Sequence, residues 1–144
     1  MITVDRVTAL RRVDLFSAVP SNILAFVAAA ATELSMQEGE ILMRQGEPGD
    51  RLFVIVSGLL HTSVNEHKLA ELGPGSVVGE FAVLVPESRS ATVTALEVTA
   101  LLCVDKTAMD ELLLDYPAVA SGIITALVRR FQQYNQTLAS PGSP

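Results

Sequence analysis

The stretch VVGEFAVLVPESRSATV, residues 77–93, contains the features that decide the predicted fold and site. An apolar strand end leads into Gly79 and then into a short helix predicted to begin at Glu80. Arg89 is the only lysine or arginine between residues 69 and 104, and its neighbours are small or apolar. Because an unpaired guanidinium in apolar surroundings is costly, we expect Arg89 to have an anionic partner.

Two kinds of partner for Arg89 follow from the residues alone. Glu80, nine positions earlier, would form an internal salt bridge that holds the loop. Alternatively, the free N–H groups of a helix start at Glu80 and the two-pronged guanidinium would together bind a phosphate or carboxylate. Small side chains at Ala82, Ser90 and Ala91 would let such a ligand approach the backbone. Both interpretations stand at this point.

Glycines and short apolar runs predict an all-β middle of the chain. Seven of the nine glycines lie between residues 39 and 79. About eight short strands with sharp corners, such as a type II turn at Glu47–Asp50, indicate a sandwich or jelly roll. The clearest predicted strands are Ile41–Met43, Leu52–Ser57, Leu59–Val64, Leu69–Leu72, Ala91–Ala95 and Val98–Val104.

Helices are predicted on both sides of this β segment. The N-terminal ones cover residues 2–12 and a stretch from a cap at Ser21 or Asn22 to Ala31. Asp105 is expected to cap a helix over 106–116, and Pro117 to begin the last one. That helix carries an apolar stripe, which should pack on the sandwich or on a second copy of the same helix. The stripe consists of Val119, Ile123, Leu127, Phe131, Tyr134 and Leu138.

Composition limits the classes of function. With 49% hydrophobic residues the chain suits one domain with a proper core. A net charge of −6 leaves no broad basic face, so nucleic acid is not an expected partner. No stretch approaches about 20 unbroken apolar residues, so we expect no direct membrane insertion. A single cysteine and the lack of an evident secretory signal indicate a cytoplasmic location.

Residue patterns for catalysis or metal binding do not stand out. His61 and His67 flank a predicted polar hairpin and lack the paired histidine and carboxylate pattern of a metal site. Cys103 lies in an apolar strand and is expected to be a buried thiol. The chain has no triphosphate-binding glycine loop that ends in lysine, and Ser90 lacks a neighbouring base. We therefore expect no enzyme activity and no metal.

The opening stretch resembles the phosphate-binding cassette of cyclic nucleotide-binding domains. Such domains occur in cAMP-dependent kinase regulatory subunits, catabolite activator proteins and nucleotide-gated channels. The family pattern is matched by GEFA at residues 79–82 and RSATV at 89–93, and we call residues 79–93 the cassette. A second signature is matched by GDRLFVIVSG at residues 49–58. The resemblance extends over roughly residues 10–138.

The resemblance implies a mainly β fold with flanking helices, an eight-stranded jelly roll or double-stranded β-helix. A single cyclic nucleotide-binding domain would cover residues 1–138. Its helices would occupy 1–31, its β-roll 33–105 and its C-terminal helices 106–138. Residues 139–144 would form a flexible tail.

The resemblance also assigns site residues. Arg89 would pair with the phosphate, Glu80 would accept the ribose 2′-hydroxyl, and the amides of Ala82 and Ser90 would complete the phosphate cage. Gly79 would let the chain pass close to the sugar. The full set implied for the ligand is Gly79, Glu80, Phe81, Ala82, Arg89, Ser90 and Ala91, with Val64, Leu72 and Val78 flanking the base. The lid over the nucleotide would come from Arg130, Phe131 or Tyr134.

The expected ligand is a cyclic nucleotide, cAMP in preference to cGMP. One arginine and helix-start N–H groups can match the single negative charge of a cyclic monophosphate without a metal, whereas a triphosphate would leave charge unmatched. Ser90 stands where the family has alanine with cAMP and often threonine with cGMP, so its hydroxyl leaves cGMP open.

The implied mechanism is a sensor that couples ligand binding to repacking of the C-terminal helices. Its output would be a homodimer through the last helix or an attached effector domain. Two alternatives remain. The chain could be the sensor half of a transcription regulator whose DNA-binding part is absent. Otherwise it is a nucleotide-free interaction or dimerisation domain of the same fold, with Glu80 and Arg89 paired to each other.

Overall fold

The computed structural model describes residues 3–139, with side chains except at residues 3, 4, 119 and 137–139. The chain is mainly β with helices at both ends, as predicted. Because the described residues end at 139, they do not include residues 140–144 of the predicted flexible tail. The side chains of Val119 and Leu138 are not described either. The helices are α1 Thr3–Arg11, a 3₁₀ turn at Asp14–Phe16, α2 Ser21–Ala30, α3 Lys106–Asp115 and α4 Pro117–Ala139. The strands are β1 Thr32–Met36, β2 Ile41–Met43, β3 Pro48–Gly49, β4 Leu52–Ser57, β5 Leu60–Val64, β6 His67–Leu72, β7 Val77–Val78, β8 Glu87–Ser88, β9 Thr92–Ala95 and β10 Thr99–Val104.

Eight of these strands form two four-stranded antiparallel sheets, in the orders β1-β10-β4-β7 and β2-β9-β5-β6. The remaining two, β3 and β8, form a two-residue ladder of their own. The two larger sheets are the eight strands expected of the roll. The small ladder ties the chain before β4 to the cassette.

The central strands β4 and β10 are buried on both faces, and their side chains alternate between two cores. Phe53 and Ile55 point into the space between the sheets, where they meet Leu101 and Cys103 of β10. The residues between them point the other way, onto the helices. That second core includes Leu10, Phe16, Leu24, Leu52, Val54, Leu102, Val104 and Met109. The first sheet therefore has the second sheet on one side and the helices on the other.

Several local predictions were wrong, each for an identifiable reason. Glu47–Asp50 is not a type II turn, because Pro48 and Gly49 pair with β8 instead. Neither Ser21 nor Asn22 caps α2, since Pro20 occupies the cap position without a side-chain bond. The short helix expected at Glu80 is a series of tight turns, in which the N–H groups of residues 83–85 donate to the carbonyls of residues 79 and 81.

The start of α3 was predicted correctly. The Asp105 carboxylate accepts a hydrogen bond of 2.8 Å from the Ala108 N–H, which satisfies one of the free donors of the first turn. The chain then bends at Tyr116, and α4 begins at Pro117. α4 packs against α3 and the 3₁₀ turn.

No single helix between residues 3 and 139 has both the length and the apolar composition needed to cross a membrane. Taken together as a pair bent by 115°, Lys106–Asp115 and Ala120–Gln136 meet those two criteria.

Candidate functional site

The cassette lines a cavity of about 240 Å³ beside the second sheet. Its wall combines the cassette with residues of strands β2, β5, β6, β7 and β9. Most of the residues implied by the resemblance are brought together here. The lining residues are Met43, Thr62, Leu72, Val77, Val78, Gly79, Glu80, Phe81, Ala82, Glu87, Ser88, Arg89, Ser90, Ala91 and Val93.

Arg89 is fixed through its main chain at the edge of this cavity. Its N–H donates to the Glu47 carbonyl at 2.7 Å, and its own carbonyl accepts from the Gly46 N–H at 2.8 Å. The guanidinium carbon lies 5.9 Å from the centre of the Phe53 ring, a distance at which a cation is attracted to the ring face. A Cβ at position 49 would overlap the guanidinium, so the Arg89 side chain requires glycine there.

Arg89 as a whole residue is 9% exposed, and its guanidinium has one hydrogen bond within residues 3–139, from Nη1 to the Arg51 carbonyl at 3.2 Å. A guanidinium has five N–H donors, so four remain for a ligand. Burial lowers the pKa of Arg89, and the charge of Asp50 partly offsets that effect. The site therefore holds a largely unsatisfied cation.

Two main-chain N–H groups belong to residues that line the same cavity as Arg89. Those of Ala82 and Ser90 donate no hydrogen bond to any acceptor in the described part of the chain. Ala82 is buried, and a buried N–H without a partner is uncommon in native proteins. Together with Arg89 they give the cavity the donors of an anion site.

Gly79 lets the chain turn into the cassette. Its φ of +83° lies in the left-handed region that glycine adopts without steric cost. A Cβ at this position would also overlap the Arg51 carbonyl oxygen and approach the Arg89 guanidinium to 2.8 Å. Position 79 therefore requires glycine for two independent reasons.

Glu80 pairs with Arg130 of α4, at 3.1 Å between Oε1 and Nη1. The Glu80–Arg89 salt bridge left open by the sequence does not form, because the two side chains have different partners. Arg130 also donates from Nε to Asp14 at 2.8 Å and from Nη2 to the other Asp14 oxygen. This two-pronged bond lowers the pKa of Asp14 and raises the pKa of Arg130.

A second bond joins the cassette to the C-terminal helices. The Lys106 ammonium, in the first turn of α3, donates to the Leu84 carbonyl at 3.1 Å and to Asp110 at 3.1 Å. The cassette is thus tied to α3 through Leu84 and to α4 through Glu80. Neither Asp14 nor Lys106 was identified from the sequence, because no local pattern links residues 116 or 22 positions apart.

Of the residues predicted to flank the base or to form the lid, some line the cavity and others do not. Leu72 and Val78 line the cavity as expected for base contacts, but Val64 does not. Phe131 and Tyr134 are 63% and 61% exposed and do not line it, whereas Arg130, the third lid candidate, bonds to the cavity residue Glu80. Met43, Thr62 and Val93 were missed, although their inward positions on the strands could have indicated them.

The histidines and the cysteine form no metal centre among residues 3–139, where no cluster of three or more potential ligands occurs. Cys103 is a buried free thiol, and burial raises its pKa. A larger groove of about 850 Å³ lies between the 3₁₀ turn, α2, α3 and α4, and Arg130 lies in its wall.

A family model described as the cyclic nucleotide-binding domain matches residues 33–116, more than half of the chain. The chain belongs to the cyclic nucleotide-binding domain family. The matched segment contains both sheets, the cassette and α3, so the resemblance inferred from GEFA and RSATV is confirmed.

Relatives of this cyclic nucleotide-binding domain include a kinase regulatory subunit and an ion channel. The chain is 31% identical to a cAMP-dependent protein kinase regulatory subunit from Dictyostelium discoideum over 96% of its own length and 41% of that protein's. It is 36% identical to a cyclic nucleotide-gated potassium channel from Mesorhizobium japonicum, over 82% of its own length and 33% of the channel's length. It therefore spans less than half of either relative.

One solved structure is similar to this chain over most of the length of both chains. This is the N-terminal domain of a transcriptional regulator from Streptomyces coelicolor, with a TM-score of 0.79 and 31% identity, covering 90% of this chain and 94% of that one. The jelly-roll fold predicted from the sequence is thereby confirmed.

Proposed function

We propose that this chain is a regulatory sensor that binds a cyclic nucleotide, cAMP in preference to cGMP, and performs no chemistry on it. The observation that carries the proposal is Arg89, a buried cation with one protein hydrogen bond at the edge of a cavity. A cyclic monophosphate has one negative charge to match that cation. The name of the kinase relative, which is cAMP-dependent, favours cAMP.

In the proposed complex Arg89 pairs with the phosphate, and the free N–H groups of Ala82 and Ser90 complete its cage. Glu80 accepts the ribose 2′-hydroxyl. Its Oε1 is bonded to Arg130, and a carboxylate has capacity for further donors, so a hydroxyl can be added. Gly79 leaves room for the sugar.

Binding is coupled to the C-terminal helices through Glu80. A ribose hydroxyl that donates to Glu80 weakens the bond between the same carboxylate and Arg130. Arg130 in turn joins α4 to Asp14 of the 3₁₀ turn. Lys106 gives the cassette a second connection, to α3. Movement of the cassette therefore changes the packing of both helices. Couplings of this kind are typically about 1–3 kcal/mol.

Calorimetric titration of the purified chain with cAMP, cGMP and 5′-AMP tests the binding proposal. We expect saturable binding of cAMP with a Kd near or below micromolar, about −8 kcal/mol or stronger. cGMP should bind more weakly, and the dianionic, uncyclised 5′-AMP weakest of all. The absence of heat with both cyclic nucleotides, from folded protein free of ligand, would contradict the proposal.

Amide hydrogen exchange with and without saturating cAMP tests the coupling. We expect protection in α4 and the 3₁₀ turn to change in the wild type and in Arg129→Met, whose side chain is exposed. In Arg130→Met the cassette should still respond to cAMP while α4 no longer does. An α4 that is insensitive to cAMP in the wild type would refute the coupling.

A homodimer through α4 is the proposed mode of assembly. Ile124, Val128 and Phe131 recur at spacings of four and three and are 47–63% exposed, as suits the seam of a helix pair. Phe131→Glu should produce monomers by sedimentation at a concentration where the wild type and Gln132→Glu are dimers. A wild type that stays monomeric at all concentrations would exclude this assembly.

A second candidate context is a transcription regulator. It is favoured by the Streptomyces structure, because the chain covers 94% of a domain that precedes the rest of such a protein. A DNA-binding segment encoded beyond residue 144 would support this context. A channel or kinase segment in the same gene would replace it.

A further inference from the structure

Thr62 lies in the wall of the cassette cavity and has no role in the phosphate and ribose contacts proposed above. It is on β5, where successive side chains point to opposite faces of the sheet. Leu60, two positions earlier, is fully buried in the core between the sheets. Thr62 therefore faces the inside of the roll, and Ser63 faces the outside.

The surroundings of Thr62 within the cavity are apolar. Its cross-strand neighbours are Val93 on β9 and Ala70 on β6, and the strand residues that share the wall include Met43 and Leu72. Its hydroxyl makes no hydrogen bond to any group in residues 3–139. Thr62 is half-buried, so its hydroxyl is open to solvent in the ligand-free cavity, and a bound base that covers it either supplies a hydrogen-bond partner or leaves it unpaired.

Thr62 and Arg89 line the same cavity on different elements, so they would meet different parts of one ligand. Its neighbour Val93 is four residues beyond Arg89, and an extended chain of that length spans up to about 13 Å. With the phosphate on Arg89 and the ribose on Glu80, the remaining part of a cyclic nucleotide is the base. The apolar wall around Thr62 suits the faces of a purine.

We propose that Thr62 is a specificity-determining residue whose hydroxyl accepts a hydrogen bond from the 6-amino group of adenine. This inference rests on the proposed binding of cyclic nucleotides. The hydroxyl is the polar group of an otherwise apolar stretch of wall, so a base that does not satisfy it leaves it unpaired. A site that hydrogen-bonds one ligand group discriminates against analogues without it, and because a hydroxyl can also donate, the discrimination here is against purines with no polar group at position 6.

The test combines variants with a modified ligand. Thr62→Val keeps the shape of the side chain and removes the hydroxyl, whereas Thr62→Ser retains the hydroxyl. Ser63→Ala is the matched control, since it removes a hydroxyl from the same strand on the other side of the sheet. The affinities of cAMP, cGMP and purine riboside 3′,5′-cyclic monophosphate, which lacks the 6-amino group, are measured for each by calorimetry.

We expect Thr62→Val to weaken cAMP binding about 3- to 10-fold, the range for one hydrogen bond. It should leave the affinity of the 6-unsubstituted analogue unchanged. Thr62→Ser and Ser63→Ala should stay within about twofold of the wild type. The wild type itself should bind the analogue more weakly than cAMP by a similar factor, a comparison that does not depend on the folding of any variant.

Equal weakening of all three ligands by Thr62→Val, or equal affinity of the wild type for cAMP and the analogue, would overturn the assignment while leaving nucleotide binding intact. A wild type that binds none of the three would refute the proposed function itself, and this inference with it. The two failures are therefore distinguished by the wild-type titration.

Discussion

Replacing Arg89 with alanine removes the cation on which the proposed phosphate site depends. In the ligand-free chain Arg89 is 9% exposed, and its guanidinium bonds to the Arg51 carbonyl and lies over the Phe53 ring. The alanine variant loses one hydrogen bond, about 1 kcal/mol, and a cation–π contact of similar size. The variant also removes the free-energy cost of burying the Arg89 charge, which has no carboxylate hydrogen-bonded to it within residues 3–139. We expect these effects to offset one another, so the free energy of unfolding should change by about 1 kcal/mol or less.

Ligand binding should respond much more strongly. Without Arg89 the phosphate keeps the N–H groups of Ala82 and Ser90 but loses its charged partner in a desolvated site. Removing one member of a buried charge pair typically costs about 2–5 kcal/mol, which corresponds to a roughly 30- to 4,000-fold weaker affinity. The distinguishing result is therefore a large loss of binding with little loss of stability.

Calorimetry with cAMP and chemical denaturation, applied to the same preparations, measure the two quantities. Arg44→Ala is the matched control, because it changes the net charge equally at a side chain that is 63% exposed. Its ion pair with Glu47, 3.8 Å from Nε to Oε1, is solvent-exposed and should contribute little stability. It should bind cAMP within about twofold of the wild type. An Arg89→Ala variant with wild-type affinity would refute the phosphate role, and one that unfolds would show that Arg89 has a structural role instead.

Three further substitutions test the supports of the site. Gly79→Ala should destabilise the fold by about 1–3 kcal/mol and abolish cAMP binding, because the added Cβ meets the Arg51 carbonyl at a positive φ; a stable, binding-competent variant would contradict this. Asp105→Ala should lower the free energy of unfolding by about 1 kcal/mol in denaturant titrations through loss of the α3 cap, and no change would exclude a stabilising cap. Asp14→Asn should be less stable than the wild type at neutral pH. Since Arg130 lowers the folded-state pKa of Asp14, the stability it contributes is present above the unfolded pKa of about 3.9 and is lost as the pH falls through the lower folded value. The difference between the two proteins should therefore vanish in acid, and a difference that persists there would argue against the ion pair.

The fold was predictable where its determinants are local. Strands such as β2 and β4 were predicted with their observed bounds, because their apolar runs end at turn residues. The type II turn at Glu47–Asp50 was wrong because Pro48–Gly49 pairs with residues 87–88, about 40 positions away. Its composition fits both structures, and the tertiary pairing decides between them.

The site was predictable only in part for the same reason. GEFA and RSATV place Glu80 and Arg89 beside one cavity, but the partner of Glu80 comes from α4, 50 residues later. The sequence offered Arg89 as one of two possible partners for that pair and left the choice open. The structure instead keeps Arg89 engaged with Phe53 and the Arg51 carbonyl, so the two charges of the cassette serve different elements.

This separation suggests how affinity and signalling divide within the site. A ligand phosphate at Arg89 finds a cation with four unused donors, so it gains interaction energy without breaking an ion pair. A ligand hydroxyl at Glu80 finds a carboxylate that is already part of the network from Glu80 through Arg130 to Asp14. In the proposed complex the phosphate contact would therefore contribute mainly affinity, whereas the ribose contact would change a bond between the cassette and α4. Only an interaction that differs between two conformations can shift their populations, and the proposed Glu80 contact would meet that condition if it loosens the Glu80–Arg130 bond.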